Sequence, residues 1–287
     1  MRIAREAGEL EPRPRAVAIG TFDGVHLGHR RVLEAALASG LTPAVVTFDP
    51  HPRIGLGYDV ELLTTLERRL ELIASVGIEE ALVVEFDLNL ARLGPAEFAE
   101  TVLQPLGTEV VVAGANFRFG RGRIGDLALL RSLGFDARSV PLVEAVSSSR
   151  IRDFVRAGEI ERAAKLLGRP PEVDGTVVAG DARGGTLGFP TANVRVDPRM
   201  LVPAFGIYAG AAEGTRAAIS IGTNPHYGGQ ERRIEAYLLD FEGDLYGRRL
   251  VLELWRRLRD ERAFESEDEL VAQIARDVEE TRAAERP

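Results

Sequence analysis

Short apolar segments alternate with amphipathic segments along the first half of the chain. The apolar runs are rich in valine and alanine and have the length of buried β-strands, whereas the segments between them repeat apolar residues at helical spacing. The predicted strands are residues 16–19, 43–48, 81–86 and 109–113. The predicted helices are residues 30–38, 64–76, 95–103, a segment opening near 146, and 159–167. This alternation predicts an α/β domain with a doubly wound parallel sheet, preceded by a polar lead-in, residues 1–15, that contains little strand.

The pattern changes after Gly168, where a glycine and a pair of prolines end the last helix. We therefore place a domain boundary there, between residues 1–168 and residues 172–287. The later strand-like segments are residues 172–178, 206–211, 215–221, 234–241 and 249–255. Strands at this spacing, with glycine-rich turns, predict a small antiparallel β-barrel, and a capping box at Ser266 predicts a terminal helix.

Composition narrows the classes of protein. The chain has 287 residues, a net charge of −8, 45% hydrophobic residues and no cysteine. Absence of cysteine excludes disulfides and thiol catalysis, and the acidic charge argues against a broad nucleic-acid or anionic-membrane surface. No apolar run approaches the ~20 residues of a membrane helix. We expect a cytoplasmic enzyme, monomeric or weakly homo-oligomeric, without nucleic-acid or membrane partners; Lys165 is its only lysine, so a lysine-based phosphate loop is not expected.

The string Gly20-Thr-Phe-Asp-Gly-Val-His-Leu-Gly-His29 joins the first predicted strand to the first predicted helix. Open α/β sheets bind phosphates at such turns, because a helix N-terminus offers free N–H groups and the positive end of a dipole. His26 and His29 are three residues apart and can face the same way. Two imidazole donors there suit the charge that develops on an attacked α-phosphate, and Gly20 and Gly28 let the backbone approach a ligand.

Two other interpretations of these histidines stay open. Histidines near a helix start are often surface or packing residues. A metal site would need more ligands, and His51 and His226 are the only other histidines in a chain without cysteine. The metal interpretation is therefore weak.

Three further segments of the first half have polar or proline-rich compositions that suit a site. Asp49-Pro50-His51-Pro52 follows a strand, and its prolines predict an extended loop that either lines a site or forms a rigid turn. The loop after the fourth strand contains Asn116 and suits a nucleotide or a flavin. Ser148 and Ser149, with Arg152, open a helix and suit either capping or an anionic ligand.

These strings resemble known motifs. The pattern Gly-x-Phe-Asp-Gly-x-His-x-Gly-His over residues 20–29 resembles the signature of the nucleotidylyltransferase superfamily in its flavin-nucleotide branch, and the loop around Asn116 and the segment 146–152 resemble two motifs of bacterial FAD synthetases. The resemblance implies that Arg152 holds the ATP phosphates alongside His26 and His29. It implies ligand-binding roles for Gly20, Phe22, Asp23, Gly28, Asn116, Ser148 and Ser149.

A glycine-rich connection at residues 180–188 could wrap phosphates through its backbone N–H groups. Thr191 and Asn193 carry neutral oxygens of the kind that Mg²⁺ accepts when it also binds ATP phosphates. The alternative is a simple turn at Gly188-Phe-Pro-Thr191. Gly188-Phe-Pro-Thr-Ala-Asn193 closely resembles the riboflavin kinase motif. That resemblance implies a nucleotide and metal site with Gly180, Gly188, Pro190, Thr191 and Asn193.

Glu235 opens a strand-like run with Tyr237 on the same face. A carboxylate there could accept the proton of a substrate hydroxyl, although a lone glutamate on a strand is more typical of a solvated face. The riboflavin kinase resemblance continues through residues 221–228, 235–247 and 258–264. It implies that Glu235 is the base and that Arg259 contacts flavin or phosphate.

Taken together, the motifs extend from about Ala16 to Asp277 and resemble the prokaryotic bifunctional riboflavin kinase/FAD synthetase family. The resemblance implies a Rossmann-like nucleotidylyltransferase domain, residues 1–168, that transfers AMP from ATP to FMN and thereby makes FAD. It implies a β-barrel domain, residues 172–287, that phosphorylates riboflavin. Mg²⁺ is the implied cofactor, and riboflavin, FMN, FAD and ATP are the implied ligands.

The chain departs from the family pattern at two positions. Gly185 stands where the family usually has arginine, with Arg183 nearby, and His226 stands where threonine is more frequent. If the missing arginine steadies ATP, either the kinase is slower or Arg183 substitutes for it. Three alternatives stay open. They are an FMN adenylyltransferase alone, with an impaired or regulatory flavin-binding barrel; a different adenylyltransferase with an unrelated C-terminal domain; and a non-catalytic flavin-binding or regulatory protein built from a decayed kinase half.

Overall fold

The structure, a computed structural model, describes residues 1–180, 188–223 and 232–287. Contacts divide the chain into two compact units. The first comprises Met1–Val60 and Leu66–Ser147, and the second comprises Glu61–Thr65 and Ser148–Pro287.

The first unit is a six-stranded parallel sheet with strand order β1-β4-β3-β2-β5-β6. Its strands are β1 (Arg2–Ala4), β2 (Arg15–Ile19), β3 (Thr42–Asp49), β4 (Glu80–Glu85), β5 (Thr108–Gly114) and β6 (Asp136–Val140). Its helices are α1 (Leu27–Leu37), α2 (Pro52–Gly55), α3 (Leu66–Val76), α4 (Leu88–Arg92), α5 (Pro95–Phe98, continued by a π-helical segment Ala99–Leu103) and α6 (Leu127–Ser132), with 3₁₀ turns at Ala7–Glu9 and Arg121–Arg123. The predicted parallel α/β architecture is confirmed.

The inner strands are buried on both faces, which explains why the apolar runs were informative. Val17 and Ile19 of β2 belong to one apolar cluster, and Ala16 and Ala18 belong to a second, because successive side chains of a strand point to opposite faces. The two edge strands escaped prediction. β1 has only three residues, and β6 is largely polar, so neither forms an apolar run.

Residues 1–15 contain little strand, as predicted: Arg2–Ala4 pairs in parallel with β4, and Arg15 begins β2. One prediction for a loop of this unit is wrong. The Asp49–Pro52 segment was expected to stop regular structure, yet Pro52 begins the short helix α2. Proline is favourable at the first helical position, where its missing N–H group would have had no partner.

The second unit is a closed antiparallel barrel of six strands in the order β10-β11-β8-β7-β12-β9. The strands are β7 (Glu172–Val178), β8 (Ala192–Val196), β9 (Gly206–Ala212), β10 (Thr215–Thr223), β11 (Arg232–Leu238) and β12 (Arg249–Arg259). The predicted barrel and the terminal helix α9 (Glu267–Ala283), capped by Ser266, are confirmed. Strand β8 was missed because it follows directly on the Gly188–Thr191 turn and only one of its five residues is buried.

Two helices lie in a different unit from the one predicted. α7 (Ser148–Arg156) and α8 (Ile160–Leu167) were assigned by sequence to the first domain, but they pack in the second unit. Ile151 of α7 shares an apolar cluster with Leu63 and Leu201, and Ile160 of α8 lies in the barrel core. Apolar contacts distant in sequence, rather than the break at Gly168, thus determine where the units divide.

Among the described residues, no helix combines the length and the apolar character needed to cross a membrane.

A buried ion pair secures the sheet opposite the carboxyl ends of its strands. Arg15 Nε lies 2.6 Å from Glu80 Oε2, and both side chains are nearly inaccessible to solvent. The Arg15 guanidinium also donates to the carbonyls of Glu11, Arg13 and Leu106. Removing one partner of such a pair leaves an uncompensated buried charge.

We predict that Arg15→Met lowers the free energy of unfolding by about 3 kcal/mol, the low end for a broken buried pair, because Arg13 Nε remains 3.9 Å from the Glu80 carboxylate. Arg138→Met is the control, since its pair with Asp136 is exposed and worth less than about 1 kcal/mol. Urea unfolding followed by circular dichroism measures both. Equal losses for the two variants would contradict the prediction.

Candidate active sites

The turn from β2 into α1 has an unusual backbone. Phe22, Gly24 and Val25 all have positive φ, at 54°, 82° and 39°. Phe22 and Val25 are nevertheless buried, because their side chains pack in the apolar cluster beneath α1. This packing offsets the cost of the left-handed conformation and sets where α1 begins, at Leu27.

The two histidines of the turn are stacked. His26 is the N-cap of α1, and its Nδ1 accepts a hydrogen bond from the backbone N–H of His29 at 3.2 Å. The imidazole rings lie 3.6 Å apart between centroids, with 12° between their planes, and Phe22 contacts the His29 ring edge-on at 5.3 Å. A Cβ on Gly28 would lie 3.2 Å from His26 Cε1, so glycine permits this ring position. Because His26 Nδ1 is an acceptor, its Nε2 carries the proton when the ring is neutral.

Arg69 of α3 joins the ends of two neighbouring strands beside these histidines. Its Nη1 donates to the carbonyl of Thr21, after β2, at 2.9 Å, and its Nη2 donates to the carbonyl of Phe48, in β3, at 3.0 Å. The side chain is only 4% exposed. Burial lowers the pKa of Arg69, while the nearby Asp23 and Asp49 carboxylates oppose that shift.

No motif in the sequence indicated Arg69, although one signal was present. Arg69 stands on the apolar face of a predicted helix, between Leu66 and Ile73. A charged residue on a buried helical face needs internal partners, so it marks a place where polar groups meet.

His29 lies within this positive environment. Burial, then the charges of His26 and Arg69, hold the pKa of His29 well below its ordinary value. Its Nδ1 is buried and has no hydrogen-bond partner among the residues that the structure describes. The ring is therefore neutral at pH 7 and can still donate one hydrogen bond to a phosphate oxygen.

The remaining predicted residues of the adenylyl-transfer site are separated between the two units. Asn116 is exposed in the turn after β5, where the Phe117 and Phe119 rings stack at 5.4 Å. Ser148, Ser149 and Arg152 begin α7 in the second unit. Arg152 is buried, and its Nε donates to the carbonyl of Glu61 at 2.7 Å. The role of Arg152 beside the histidines stays a prediction.

Strand β11 presents the predicted base of the second site. Ile234, Ala236 and Leu238 lie in the barrel core, so Glu235 and Tyr237 share the opposite face. Glu235 pairs in register with Asn193 of β8 and with Ser220 of β10. The antiparallel ladder thereby brings the predicted base beside a predicted metal ligand.

Arg233, which no sequence motif indicated, joins these two groups. Its Nη2 lies 2.6 Å from Glu235 Oε1, and its Nε donates to Asn193 Oδ1 at 3.1 Å. Gly180 is also adjacent, since a Cβ there would lie 2.0 Å from Asn193 Nδ2. The only signal was the period-two spacing from Arg233 to Glu235, which places both on one face.

Two cavities border this cluster. The first has a volume of about 330 Å³ and is lined by Phe189, Thr191, Arg233, Glu235, Tyr237 and Arg259, among others. The second, of about 770 Å³, is lined by Gly180, Asn193, Arg195, Arg232 and Arg233, together with the acidic Glu61 and Asp197. The Phe189 and Tyr237 rings meet edge-to-face at 5.4 Å. The aromatic lining of the first cavity suits a planar ring, and the arginines of the second suit a polyphosphate.

Arg259 has internal partners. Its Nε and Nη2 bond the Asp277 carboxylate at 2.9 and 2.7 Å, and its Nη1 donates to the Asp260 carbonyl. Asp277 also accepts from Gln273 Nε2 at 2.8 Å. The guanidinium thus ties β12 to α9 at the wall of the first cavity, and its predicted contact with flavin or phosphate stays a prediction.

The residues present fit a magnesium ion that is shared with a nucleotide. Asn193 Oδ1 accepts one hydrogen bond, from Arg233 Nε at 3.1 Å, and keeps a second lone pair for a cation. Within residues 1–180, 188–223 and 232–287, no group of three histidine, cysteine, aspartate or glutamate side chains could hold a metal. Neutral oxygens at Thr191 and Asn193 match a metal that takes most of its ligands from phosphates and water. Arg183, Gly185 and His226 lie outside the described residues.

Two family models match consecutive parts of the chain. Residues 9–152 match the model described as FAD synthetase, and residues 167–284 match the model described as riboflavin kinase. The chain thus has the order of a protein with an adenylyl-transfer module followed by a kinase module.

Similar proteins cover both modules at once. Proteins named bifunctional riboflavin kinase/FMN adenylyltransferase are 38% identical in Listeria monocytogenes and 36% identical in Bacillus subtilis, each over 94% of this chain and 92% of the relative. The Escherichia coli protein of that name is 36% identical over 96% of both chains. A crystal structure titled macrolide-efflux protein from Streptococcus pneumoniae has a TM-score of 0.86 and 32% identity, covering 98% of each chain. The chain belongs to the bifunctional riboflavin kinase/FMN adenylyltransferase family.

We predict that His29 titrates well below the ordinary histidine value of about 6.5. Because its pKa is lower in the folded state, the unfolded chain binds this proton more readily. The stability that the neutral ring contributes is therefore complete above about pH 6.5 and is lost as the pH falls toward the lower, folded-state value.

Histidine-ring NMR spectra of the wild type and of His29→Gln identify the His29 signal and measure its midpoint. Urea unfolding at pH 7.5 and 5.5 measures the linkage, and His29→Gln should have the smaller difference between the two conditions. A midpoint at or above 6.5 would contradict the prediction.

Proposed function

We propose that this chain catalyses both reactions for which its family is named: phosphorylation of riboflavin to FMN in the barrel, and transfer of AMP from ATP to FMN in the α/β domain. Two polar clusters support the proposal, and each lies within one of the two family matches. The first consists of His26, His29 and Arg69. The second consists of Arg233, Glu235 and Asn193. We assign adenylyl transfer to residues 1–168 and kinase activity to residues 172–287.

In adenylyl transfer, a phosphate oxygen of FMN attacks the α-phosphorus of ATP. A new P–O bond forms, the bond to the bridging α–β oxygen breaks, and pyrophosphate leaves. The FMN phosphate is already a nucleophile, so no base is required. Catalysis then consists of alignment and charge stabilisation by His26, His29, Arg152 and the N-terminus of α1. Gly20, Phe22, Asp23, Gly28, Asn116, Ser148 and Ser149 are the proposed binding residues.

Arg69 serves this reaction as a positioning residue. Its hydrogen bonds to the carbonyls of Thr21 and Phe48 hold together the ends of β2 and β3, where a ligand of the sheet would lie. After burial and the charge of His26, the charge of Arg69 also favours the neutral form of His29. The neutral ring keeps one N–H group that can donate to a phosphate oxygen.

In the kinase reaction, the 5′-hydroxyl oxygen of riboflavin attacks the γ-phosphorus of ATP and ADP leaves. Glu235 accepts the hydroxyl proton. Thr191 and Asn193 would hold Mg²⁺, beside Gly180, Gly188 and Pro190. When bound, the ion neutralises phosphate charge. The flavin ring would occupy the cavity lined by Phe189 and Tyr237, with Arg259 at its wall.

We predict that chromatography of products from riboflavin, ATP and Mg²⁺ shows FMN and then FAD. His29→Ala should reduce FAD formation about 100-fold or more, since one charge-stabilising donor is lost, and should leave FMN formation nearly intact. Glu235→Ala should do the reverse, lowering FMN formation about 100-fold or more through loss of the base.

Each variant contains its own control, because the unaffected reaction reports that the chain is folded and active. FAD from added FMN, with no turnover of riboflavin by the wild type, would support an adenylyltransferase with an impaired barrel. Loss of both activities in either folded variant would refute the assignment of two sites.

Gly180→Ala tests the assignment of Asn193 to the metal. A methyl group at residue 180 would displace the Asn193 amide, and we expect the Mg²⁺ concentration for half-maximal FMN formation to rise about tenfold. Asn193→Ala should have a similar effect, and the double variant should be no worse than Asn193→Ala alone. Additive losses would show that Gly180 acts independently of Asn193.

A further inference from the structure

Arg233 lies where the two cavities of the barrel meet. It lines both the aromatic cavity that contains Glu235 and the polar cavity that contains Gly180 and Asn193. Its side chain is 24% exposed, so part of the side chain is accessible to a ligand. Phosphoryl transfer requires the acceptor and the nucleotide to meet at one point, and Arg233 occupies the boundary between their proposed compartments.

Arg233 is bonded to two groups that have other roles in the proposed kinase reaction: Glu235, the proposed base, and Asn193, a proposed metal ligand. Nη2 pairs with the Glu235 carboxylate at 2.6 Å, and Nε binds the Asn193 amide oxygen at 3.1 Å. Each bond from the guanidinium takes up a lone pair of the oxygen that accepts it. While this pair persists, an oxygen of the Glu235 carboxylate is bonded to Arg233 rather than to a substrate hydroxyl, and one lone pair of the Asn193 oxygen is occupied.

A nucleotide offers Arg233 a better partner. A terminal phosphate has more charge and more acceptor oxygens than a carboxylate, and a planar guanidinium matches its geometry. Arg195 and Arg232 line the same polar cavity, so a polyphosphate entering it would be drawn toward this end of β11.

We propose that Arg233 binds the γ-phosphate of ATP and, by exchanging Glu235 for that phosphate, releases Glu235 to act as the base. This inference rests on the proposed kinase function. The hydroxyl oxygen of riboflavin then forms a bond to the γ-phosphorus, the bond to the β–γ bridging oxygen breaks, and the hydroxyl proton moves to Glu235. Arg233 stabilises the charge on the transferred group throughout.

A purely structural role predicts a different result. If Arg233 only holds Glu235 and Asn193 in place, its loss would weaken the binding of nucleotides with and without a γ-phosphate to the same extent. If Arg233 binds the γ-phosphate, its loss would weaken the binding of ATP more than the binding of ADP.

The test compares Arg233→Gln and Arg233→Lys with Arg248→Gln in the full-length chain. Arg248 is a matched control because it forms a surface ion pair, with Glu213 at 2.9 Å, and is half exposed. Calorimetric titrations use Mg²⁺ with ADP or with the β,γ-imido analogue of ATP. Because the variants leave the adenylyl-transfer site intact, the difference from wild type reports on the barrel.

We expect Arg233→Gln to weaken the binding of the ATP analogue about tenfold or more, the usual effect of losing a hydrogen bond to a charged group. The binding of ADP should weaken less than about threefold. Arg233→Lys should recover part of the difference, and Arg248→Gln should match the wild type. Equal losses for ADP and the analogue, or no loss for either, would overturn the inference. A failure of the proposed kinase function would be recognised independently of this test, because the wild type would then make no FMN from riboflavin, whatever the ratio of its affinities for ADP and the analogue.

Discussion

The register of β8 against β11 is the constraint on which the barrel site depends. It places Asn193 directly opposite Glu235, and paired residues of an antiparallel ladder hold their side chains close on one face. Arg233 precedes Glu235 by two residues and therefore reaches both groups. A slip of one residue would exchange this face for Ile234 and Ala236, which now lie in the core, and would bury the carboxylate. The hydrophobic interior of the barrel thus maintains the polar chemistry on its other side.

A comparable constraint operates at the first site through Arg69. A guanidinium that is 4% exposed must satisfy its donors internally, and the carbonyls of Thr21 and Phe48 do so. Burial, then the charge of His26 and then that of Arg69, hold the pKa of His29 low. One buried charge therefore holds the strand ends together and adds to the effects that keep His29 neutral.

The elements that sequence analysis predicted well are those that are buried on both faces or periodic along their length. The central strands form continuous apolar runs, and α9 has a serine cap and an apolar stripe. The strands it missed lack these signals. Strand β1 has three residues, β6 is polar, and β8 has a single buried residue. Their pairing depends on neighbouring strands that are distant in sequence.

The residues named by motif were found because their spacing is local. His26 and His29 meet through one helical turn, and Glu235 shares a face with Tyr237 through the strand period. Arg69 and Arg233 belong to no motif that we recognised, and each gains its importance from contacts across strands or between a helix and a sheet. Among the 36 basic residues of lysine and arginine type, composition does not distinguish these two from the solvated ones.

By itself, the sequence determined the alternation of strands and helices, the change to a barrel, and the chemical groups of two motifs, because periodicity and short spacings are properties of the chain alone. Only the tertiary structure decided that α7 and α8 pack with the second unit, that Arg69 is a buried cation beside His29, and that Arg233 joins Glu235 to Asn193. These depend on contacts between segments separated by tens of residues. The free energy of such contacts comes from burial and register, which local sequence does not encode.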